Sequence, residues 1–222
     1  MVEMILEYKE MILQGISDTL YMTLMSTILA HIIGIPLGVI LVVTAAKGIS
    51  PNKSINSVLG AIVNVGRSIP FTILMVALIP FTRFIVGTAI GATAAIVPLT
   101  IAAAPFVARM VESSISEVDP GVVEAAKTMG ATNWQIAYSV LIPEAVPSLI
   151  RGFSITTITL IGYSAMAGAF GAGGLGDIAI RYGYYRYDKD IMIFTIALIV
   201  IIVQIIQMIF NIVANKIDKR NR

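Results

Sequence analysis

The sequence contains no cysteine and a single histidine, and only 13% of its 222 residues are charged. The lack of cysteine excludes disulfides, thiolate metal sites and iron–sulfur clusters, and one histidine cannot form a histidine cluster around a metal. The net charge of +2 is too small to indicate a nucleic-acid partner. We therefore expect a protein without metal, cofactor, catalytic residues or nucleic acid.

Long apolar runs make up most of the chain, which is 57% hydrophobic and has a mean hydropathy of +0.90. That is more apolar surface than one soluble core can bury. Each run is close to the roughly 20 residues that a helix needs to cross a bilayer, and strand-like alternation is absent. The sequence predicts an all-α polytopic membrane protein: a single transmembrane domain, residues 1–222, with five transmembrane helices at about 19–46, 55–81, 87–110, 147–170 and 191–214.

The distribution of lysine and arginine predicts the orientation, because cytoplasmic loops carry an excess of these residues. An odd number of spans places the termini on opposite sides. One side has nine basic residues: Lys47, Lys53, Arg109, Lys127, Arg151, Lys216, Lys219, Arg220 and Arg222. The other side has five, Lys9, Arg83, Arg181, Arg186 and Lys189, together with seven acidic residues that include Glu3. We therefore expect the N-terminus outside, and the C-terminus and the segment 109–151 in the cytoplasm.

The polar stretch EAAKTMGATNWQI, residues 124–136, interrupts this apolar sequence. Asp119 followed by Pro120 is typical of a helix start, and Gly130 is typical of a left-handed C-cap, so we expect a helix over 120–129. Thr132 and Gln135 have capping-box spacing, which predicts a second helix that ends before Pro143.

The first of these helices places Val122, Ala126 and Met129 on one face at helical spacing. This apolar face can pack on the protein's own membrane helices, or it can dock a partner that moves two spans together. The periodicity does not decide between the two.

One face of the fourth span combines small, hydroxylated and bulky residues: Gly152, Thr156, Thr159, Tyr163, Met166 and Phe170. Small and polar residues at one end with bulky ones at the other suit the wall of a pathway that can close. Ordinary packing is the alternative, since threonines join membrane helices and methionine fills gaps. Thr156, Thr159, Tyr163 and Met166 are the candidate pathway residues.

Several glycines have spacings that predict local structure. Gly171, Gly173 and Gly176 form a G-x-G-x-x-G pattern, but no strand precedes it, so a tight turn with close backbone contacts is favoured over a nucleotide site. Two glycine pairs have the small-residue spacing that is typical of close helix contacts: Gly34 with Gly38, and Gly87 with Gly91.

Two polar residues fall within apolar runs. Arg67, beside Ser68 and Pro70, indicates a broken helix. Its role stays open, with a structural arginine that reaches backbone carbonyls or the membrane edge favoured over one that touches substrate. His31 has no carboxylate nearby in its span, so a buried, hydrogen-bonded histidine at a helix contact is favoured over a proton relay.

The polar stretch and the residues after it resemble the EAA loop of ABC importer permeases. The matching positions are Glu124, Ala125, Ala126, Gly130, Val140, Ile142 and Pro143, where Val140 and Ile142 replace the more usual isoleucine and leucine. The resemblance implies that residues 112–145 form a coupling segment that docks in a groove of a separate cytoplasmic ATPase.

Residues 156–187, TTITLIGYSAMAGAFGAGGLGDIAIRYGYYRY, resemble the corresponding region of bacterial methionine ABC importer permeases. The resemblance implies a type I importer permease fold in the bacterial inner membrane, surrounded by lipid. It also implies a homodimer of permeases, two ATPase subunits, an extracytoplasmic substrate-binding lipoprotein, and methionine as the substrate. A permease for another amino acid or an osmoprotectant is the alternative. An ion-coupled secondary transporter would show paired repeats and membrane-embedded acidic residues, and a channel would need no cytoplasmic coupling segment.

Overall fold

The computed structural model describes residues 7–217 of the chain, and within them every regular element is a helix. Glu3, Lys219, Arg220 and Arg222, which contribute to the charge tally, lie outside the described residues. In chain order the helices are α1 (Lys9–Thr44), α2 (Lys53–Ser68), α3 (Phe71–Ala77), α4 (Ile79–Val86), α5 (Ala92–Ser116), α6 (Pro120–Thr128), α7 (Asn133–Gly168), α8 (Gly174–Ile178), which continues as a π-helical section (Ala179–Tyr184), and α9 (Lys189–Ile217).

Four of these helices, α1, α5, α7 and α9, are long and apolar enough to cross a membrane, and α2 with α3 forms a fifth span that is bent by 99°. The break lies at Ile69 and Pro70, where the backbone is extended. Proline lacks an N–H and disfavours the helical conformation of the residue before it. With the bent pair counted as one span, the number of candidate spans agrees with the predicted five, although their bounds differ from the predicted ones, and the predicted break in the second span is confirmed.

The contact between α1 and α5 forms the centre of the bundle. A Cβ on Gly34 would lie 2.6 Å from the Val107 side chain, and one on Gly38 would lie 2.6 Å from both Val111 and the Ala108 carbonyl oxygen. The predicted close contact at this glycine pair is therefore confirmed. Because increasing residue numbers on α1 face increasing numbers on α5, the two helices run in the same direction.

The contact predicted for Gly87 and Gly91 was wrong. Both residues have positive φ, +84° and +99°, and apart from their chain neighbours no described residue would have an atom within 4 Å of an added Cβ. These glycines form the turn between α4 and α5, where a left-handed backbone is needed and only glycine adopts it without strain.

Helix α7 runs without interruption from the polar segment through the membrane span, so the predicted end before Pro143 was wrong. Its Ala137–Leu141 section is π-helical, and Pro143 and Pro147 follow in the α-helical section Ile142–Gly168. A wider π-helical turn before the first proline relieves the conflict between its ring and the preceding turn. Helix α7 runs in the opposite direction to α5. The Ser148 hydroxyl, in the first half of α7, donates to the Ser114 hydroxyl at 2.9 Å, and Ser114 lies near the C-terminal end of α5.

The glycine-rich sequence after α7 forms a tight turn, as predicted. Gly171, Gly173 and Gly174 all have positive φ. The turn folds α8 back so closely that a Cβ on Gly176 would lie 2.4 Å from the Ala165 Cα. Residues 112–145 and this turn therefore occupy opposite ends of the bundle.

A stripe of hydroxyl side chains on α1 is buried against its neighbours. The Thr19 hydroxyl accepts a hydrogen bond from the Leu175 backbone N–H at 2.9 Å, which fixes the start of α8. His31 is bonded through Nδ1 to the Thr27 carbonyl at 2.8 Å, and its ring centroid lies 4.4 Å from that of Phe153 on α7. The predicted buried, hydrogen-bonded histidine at a helix contact is confirmed.

Candidate functional site

Helix α6 has the predicted signals at both ends. The Asp119 carboxylate accepts a hydrogen bond from the Gly121 N–H at 2.8 Å. At the other end Gly130 has φ +80° and donates to the Lys127 carbonyl at 3.0 Å, while Ala131 donates to the Ala126 carbonyl at 3.1 Å. This bond pattern is a Schellman motif, which satisfies the last carbonyls of the helix. The helix, Pro120–Thr128, is thus a rigid unit with fixed ends.

The start of α7 is also capped as predicted. The Gln135 N–H donates to the Thr132 hydroxyl at 3.3 Å, and the Gln135 side-chain oxygen accepts from the Thr132 N–H at 2.8 Å. The capping box and the Schellman motif lie within a few residues of each other. The joint between α6 and α7 is therefore rigid as well.

The predicted apolar face of α6 is only partly buried. Ala126 is buried in the core with Val123 packed beside it, whereas Val122 is 40% exposed and Met129 is 80% exposed. Met129 lies at the C-cap, where the chain turns away from the helix, which explains its separation from Ala126. One side of α6 packs on its own protein, and the other remains uncovered.

Two aromatic residues of the same segment that sequence analysis missed are also uncovered. Trp134 and Tyr138 are 73% and 63% exposed, and their rings stack with centroids 5.6 Å apart. Their spacing of four residues at a helix start is the signal that could have identified them. We call Val122, Met129, Trp134 and Tyr138 the apolar coupling surface.

The residues of the EAA-like pattern divide between the two sides of the segment. The residues that face solvent are Glu124, Ala125, Gly130 and Pro143. Ala126 is buried, and Val140 and Ile142 are half-buried. The pattern thus contains both the residues that attach the segment to the bundle and residues that a partner can reach.

Along the candidate pathway face of α7, the residues become more exposed toward the C-terminal end of the helix. Thr156 is buried and donates to the Gly152 carbonyl at 3.0 Å, and a Cβ on Gly152 would lie 2.7 Å from Met110 on α5. Thr159 and Tyr163 are half-buried, and Met166 is 48% exposed. Only the part beyond Thr156 is therefore accessible in a single chain.

Three of the four candidate pathway residues line one small cleft between α5 and α7. The cleft has a volume of about 20 Å³ and is lined by Ala102, Ala103, Phe106, Thr156, Thr159, Leu160 and Tyr163. Met166 lies beyond it. Tyr163 is also stacked on Phe71, a contact between distant parts of the chain that sequence analysis missed.

Arg109, rather than Arg67, fastens α2 to the bundle. Arg67 is exposed, and within residues 7–217 it makes no hydrogen bond to a carbonyl. The Arg109 guanidinium donates to the Gly60 carbonyl at 3.2 Å and to the Asn64 side chain at 2.9 Å, and it pairs with Glu112. This arginine joins α2 to the end of α5 that leads into α6.

Comparison with known proteins identifies the family to which this chain belongs. Residues 34–222 match the family described as the binding-protein-dependent transport system inner membrane component, so the chain belongs to that family of membrane transport subunits.

Individual relatives and a solved structure are similar over most of the chain. The chain is 53% identical over 211 residues to the probable D-methionine transport system permease protein MetI of Vibrio cholerae, covering 95% of this chain and 94% of the relative. It is 50% identical over 181 residues to the methionine import system permease protein MetP of Bacillus subtilis, covering 82% of each. A chain of the MetNI methionine ABC transporter in an inward-facing conformation superposes with a TM-score of 0.94 at 48% identity, covering 96% of this chain and 99% of that one. The fold is therefore that of a type I ABC importer permease.

Proposed function

We propose that this chain is the permease subunit of an ATP-driven importer that takes up methionine, and that it forms half of the translocation pathway. The observation that carries the proposal is the 53% identity to a probable D-methionine permease over 95% of the chain. The whole chain acts as one transmembrane domain, and the chemistry of ATP hydrolysis belongs to a separate subunit.

Residues 112–145 are the segment that couples this subunit to a cytoplasmic ABC ATPase. The segment is rigid at both helix ends, and its apolar coupling surface is uncovered in the single chain. A short helix held in this way transmits a partner's movement to α5 and α7 at once. Of the EAA-like residues, Glu124, Ala125, Gly130 and Pro143 face the partner, whereas Ala126, Val140 and Ile142 attach the segment to the bundle.

Two copies of the chain form the translocation pathway between them. The residues of each copy that line it are Thr156, Thr159, Tyr163 and Met166. The partial exposure of the last three in one chain supports this assignment, because a second copy would complete the wall. Tyrosine and methionine suit a closable constriction, since they can separate without leaving charges unpaired.

The glycine turn and the tyrosine-rich sequence after α8 face outward, toward an extracytoplasmic binding protein, and the coupling segment faces the cytoplasm. The two regions lie at opposite ends of the bundle, and the basic-residue tally favours this orientation. Only Ile191, Thr195 and Ala214 of α9 are buried, and the exposed apolar side chains of this helix, such as Ile193, Ile201 and Ile212, face lipid.

Uptake by whole cells tests the assignment of methionine as the substrate. The chain, its ATPase and its binding protein are expressed in bacteria that lack methionine uptake, and accumulation of labelled methionine is compared with that of a quaternary-ammonium osmoprotectant. We expect methionine to accumulate only when all three proteins are present. Accumulation of the osmoprotectant instead of methionine would contradict the substrate assignment and support the alternative permease class.

A further inference from the structure

The rings of Phe71 and Tyr163 stack almost in parallel between two helices. Their centroids are 4.7 Å apart and their planes differ by 6°. Phe71 is the first residue of α3, immediately after the break in the second span, and Tyr163 lies on α7 in the wall of the cleft. Stacked aromatic pairs contribute attraction beyond the apolar area that they bury, and they favour particular relative orientations.

The orientation of the Tyr163 ring depends on this stack. The side chain is half-buried, and within residues 7–217 its hydroxyl makes no hydrogen bond that would fix the ring. A tyrosine without such a bond can turn unless its faces are packed. Phe71 covers one face of the ring.

Phe71 itself is buried in the bundle. It is only 6% exposed, and the next turn of α3 places the buried residues Leu74 and Met75 against the bundle. Before the break, α2 touches α5 so closely that a Cβ on Gly66 would lie 2.7 Å from Pro105. The bend therefore places Phe71 at a fixed position relative to α5.

We infer that Phe71 is a positioning residue for the pathway: it holds the Tyr163 ring in the orientation that closes the cleft between α5 and α7. This inference rests on the proposed function, since it requires that Tyr163 lines the pathway. It also gives the broken second span a role, because an unbroken helix would carry Phe71 away from α7.

A double-mutant cycle on the assembled transporter tests the inference. Phe71→Leu, Tyr163→Leu and the double variant are reconstituted in liposomes with the ATPase and the binding protein, and ATP-driven methionine uptake and passive methionine leak are measured. We expect Phe71→Leu to lower coupled uptake by about 2- to 10-fold, which is the range for the loss of one aromatic pair. In the Tyr163→Leu background the same change should have no further effect, because Phe71 acts through Tyr163. Phe71→Tyr, which keeps the stack, should restore uptake.

Phe153→Leu is the matched control, since Phe153 is an aromatic residue of α7 that packs on His31 instead. Its effect should be the same with and without Tyr163→Leu. Equal effects of Phe71→Leu in both backgrounds would overturn the positioning role while leaving Tyr163 in the pathway. A Tyr163→Leu variant with unchanged uptake and leak would overturn both the positioning role and the pathway assignment.

Discussion

Gly38 and Val111 lie in contact without any space for a side chain on the glycine: an added Cβ would be 2.6 Å from the valine Cβ. The neighbouring Ala108 carbonyl oxygen would be equally close, so a substitution must push the α1 and α5 backbones apart. Small residues of this kind allow membrane helices to approach closely.

Gly38→Ala is therefore expected to destabilise the bundle by about 1–3 kcal/mol, the usual cost of overpacking. The measurement is thermal unfolding of the purified permease in detergent. Gly162→Ala is the control, because no atom of the described residues, apart from its chain neighbours and the backbone of its own helix, lies within 4 Å of an added Cβ there, and its unfolding temperature should not fall. Equal unfolding temperatures for Gly38→Ala and the native chain would contradict the packing argument.

Thr19 and Thr23 offer a second matched comparison, since both are buried on α1 one turn apart. Thr19 accepts the Leu175 N–H, which loses its partner in Thr19→Val. Thr23 only donates to carbonyls of its own helix, Thr19 and Leu20, so Thr23→Val leaves no N–H unpaired. We expect Thr19→Val to cost about 1–3 kcal/mol and Thr23→Val clearly less.

The same unfolding measurement distinguishes the two threonine variants. Thr19→Ser, which keeps the acceptor oxygen, should retain most of the stability. If Thr23→Val were as destabilising as Thr19→Val, the hydrogen bond to Leu175 would not be what fixes α8 in place.

The local features of this fold were predictable from the sequence, whereas contacts between distant segments were not. Asp119, Gly130 and the Thr132–Gln135 box specify helix ends through their own side chains and backbone, so their neighbours in sequence suffice to identify them. The passage of α7 through Pro143 depends on a π-helical turn that no residue type signals strongly. The stack of Phe71 on Tyr163 depends on a 99° bend and on the packing of three helices. Periodicity on one helix contains no information about these relationships.

The orientation is tested by labelling single cysteines in intact cells, which is simple because the native chain has no cysteine. Tyr187, 85% exposed, and Asn133, also exposed, lie at opposite ends of the bundle. An impermeant thiol reagent should label Tyr187→Cys in intact cells and Asn133→Cys only after the membrane is opened. The reverse pattern would show that the N-terminus is cytoplasmic.

Gly130→Pro tests the rigid joint between α6 and α7. Proline cannot adopt the φ of +80° that this position requires, and it removes the N–H that donates to Lys127. We expect methionine uptake to be abolished while membrane abundance stays near normal. Gly130→Ala, which retains the N–H and costs roughly 1–2 kcal/mol in a left-handed conformation, should keep part of the activity. Full uptake in the proline variant would show that the capped joint does not transmit movement.

The central claim, that this chain is a subunit of an ATP-driven importer, is tested most directly by measuring which energy source drives transport. The permease is reconstituted in liposomes with its ATPase and binding protein, and methionine accumulation is followed together with ATP hydrolysis, with and without proton and sodium gradients. The account predicts accumulation that requires ATP and the binding protein and persists when both ion gradients are collapsed. Accumulation that is driven by an ion gradient without ATP would contradict it and would identify the chain as a secondary transporter.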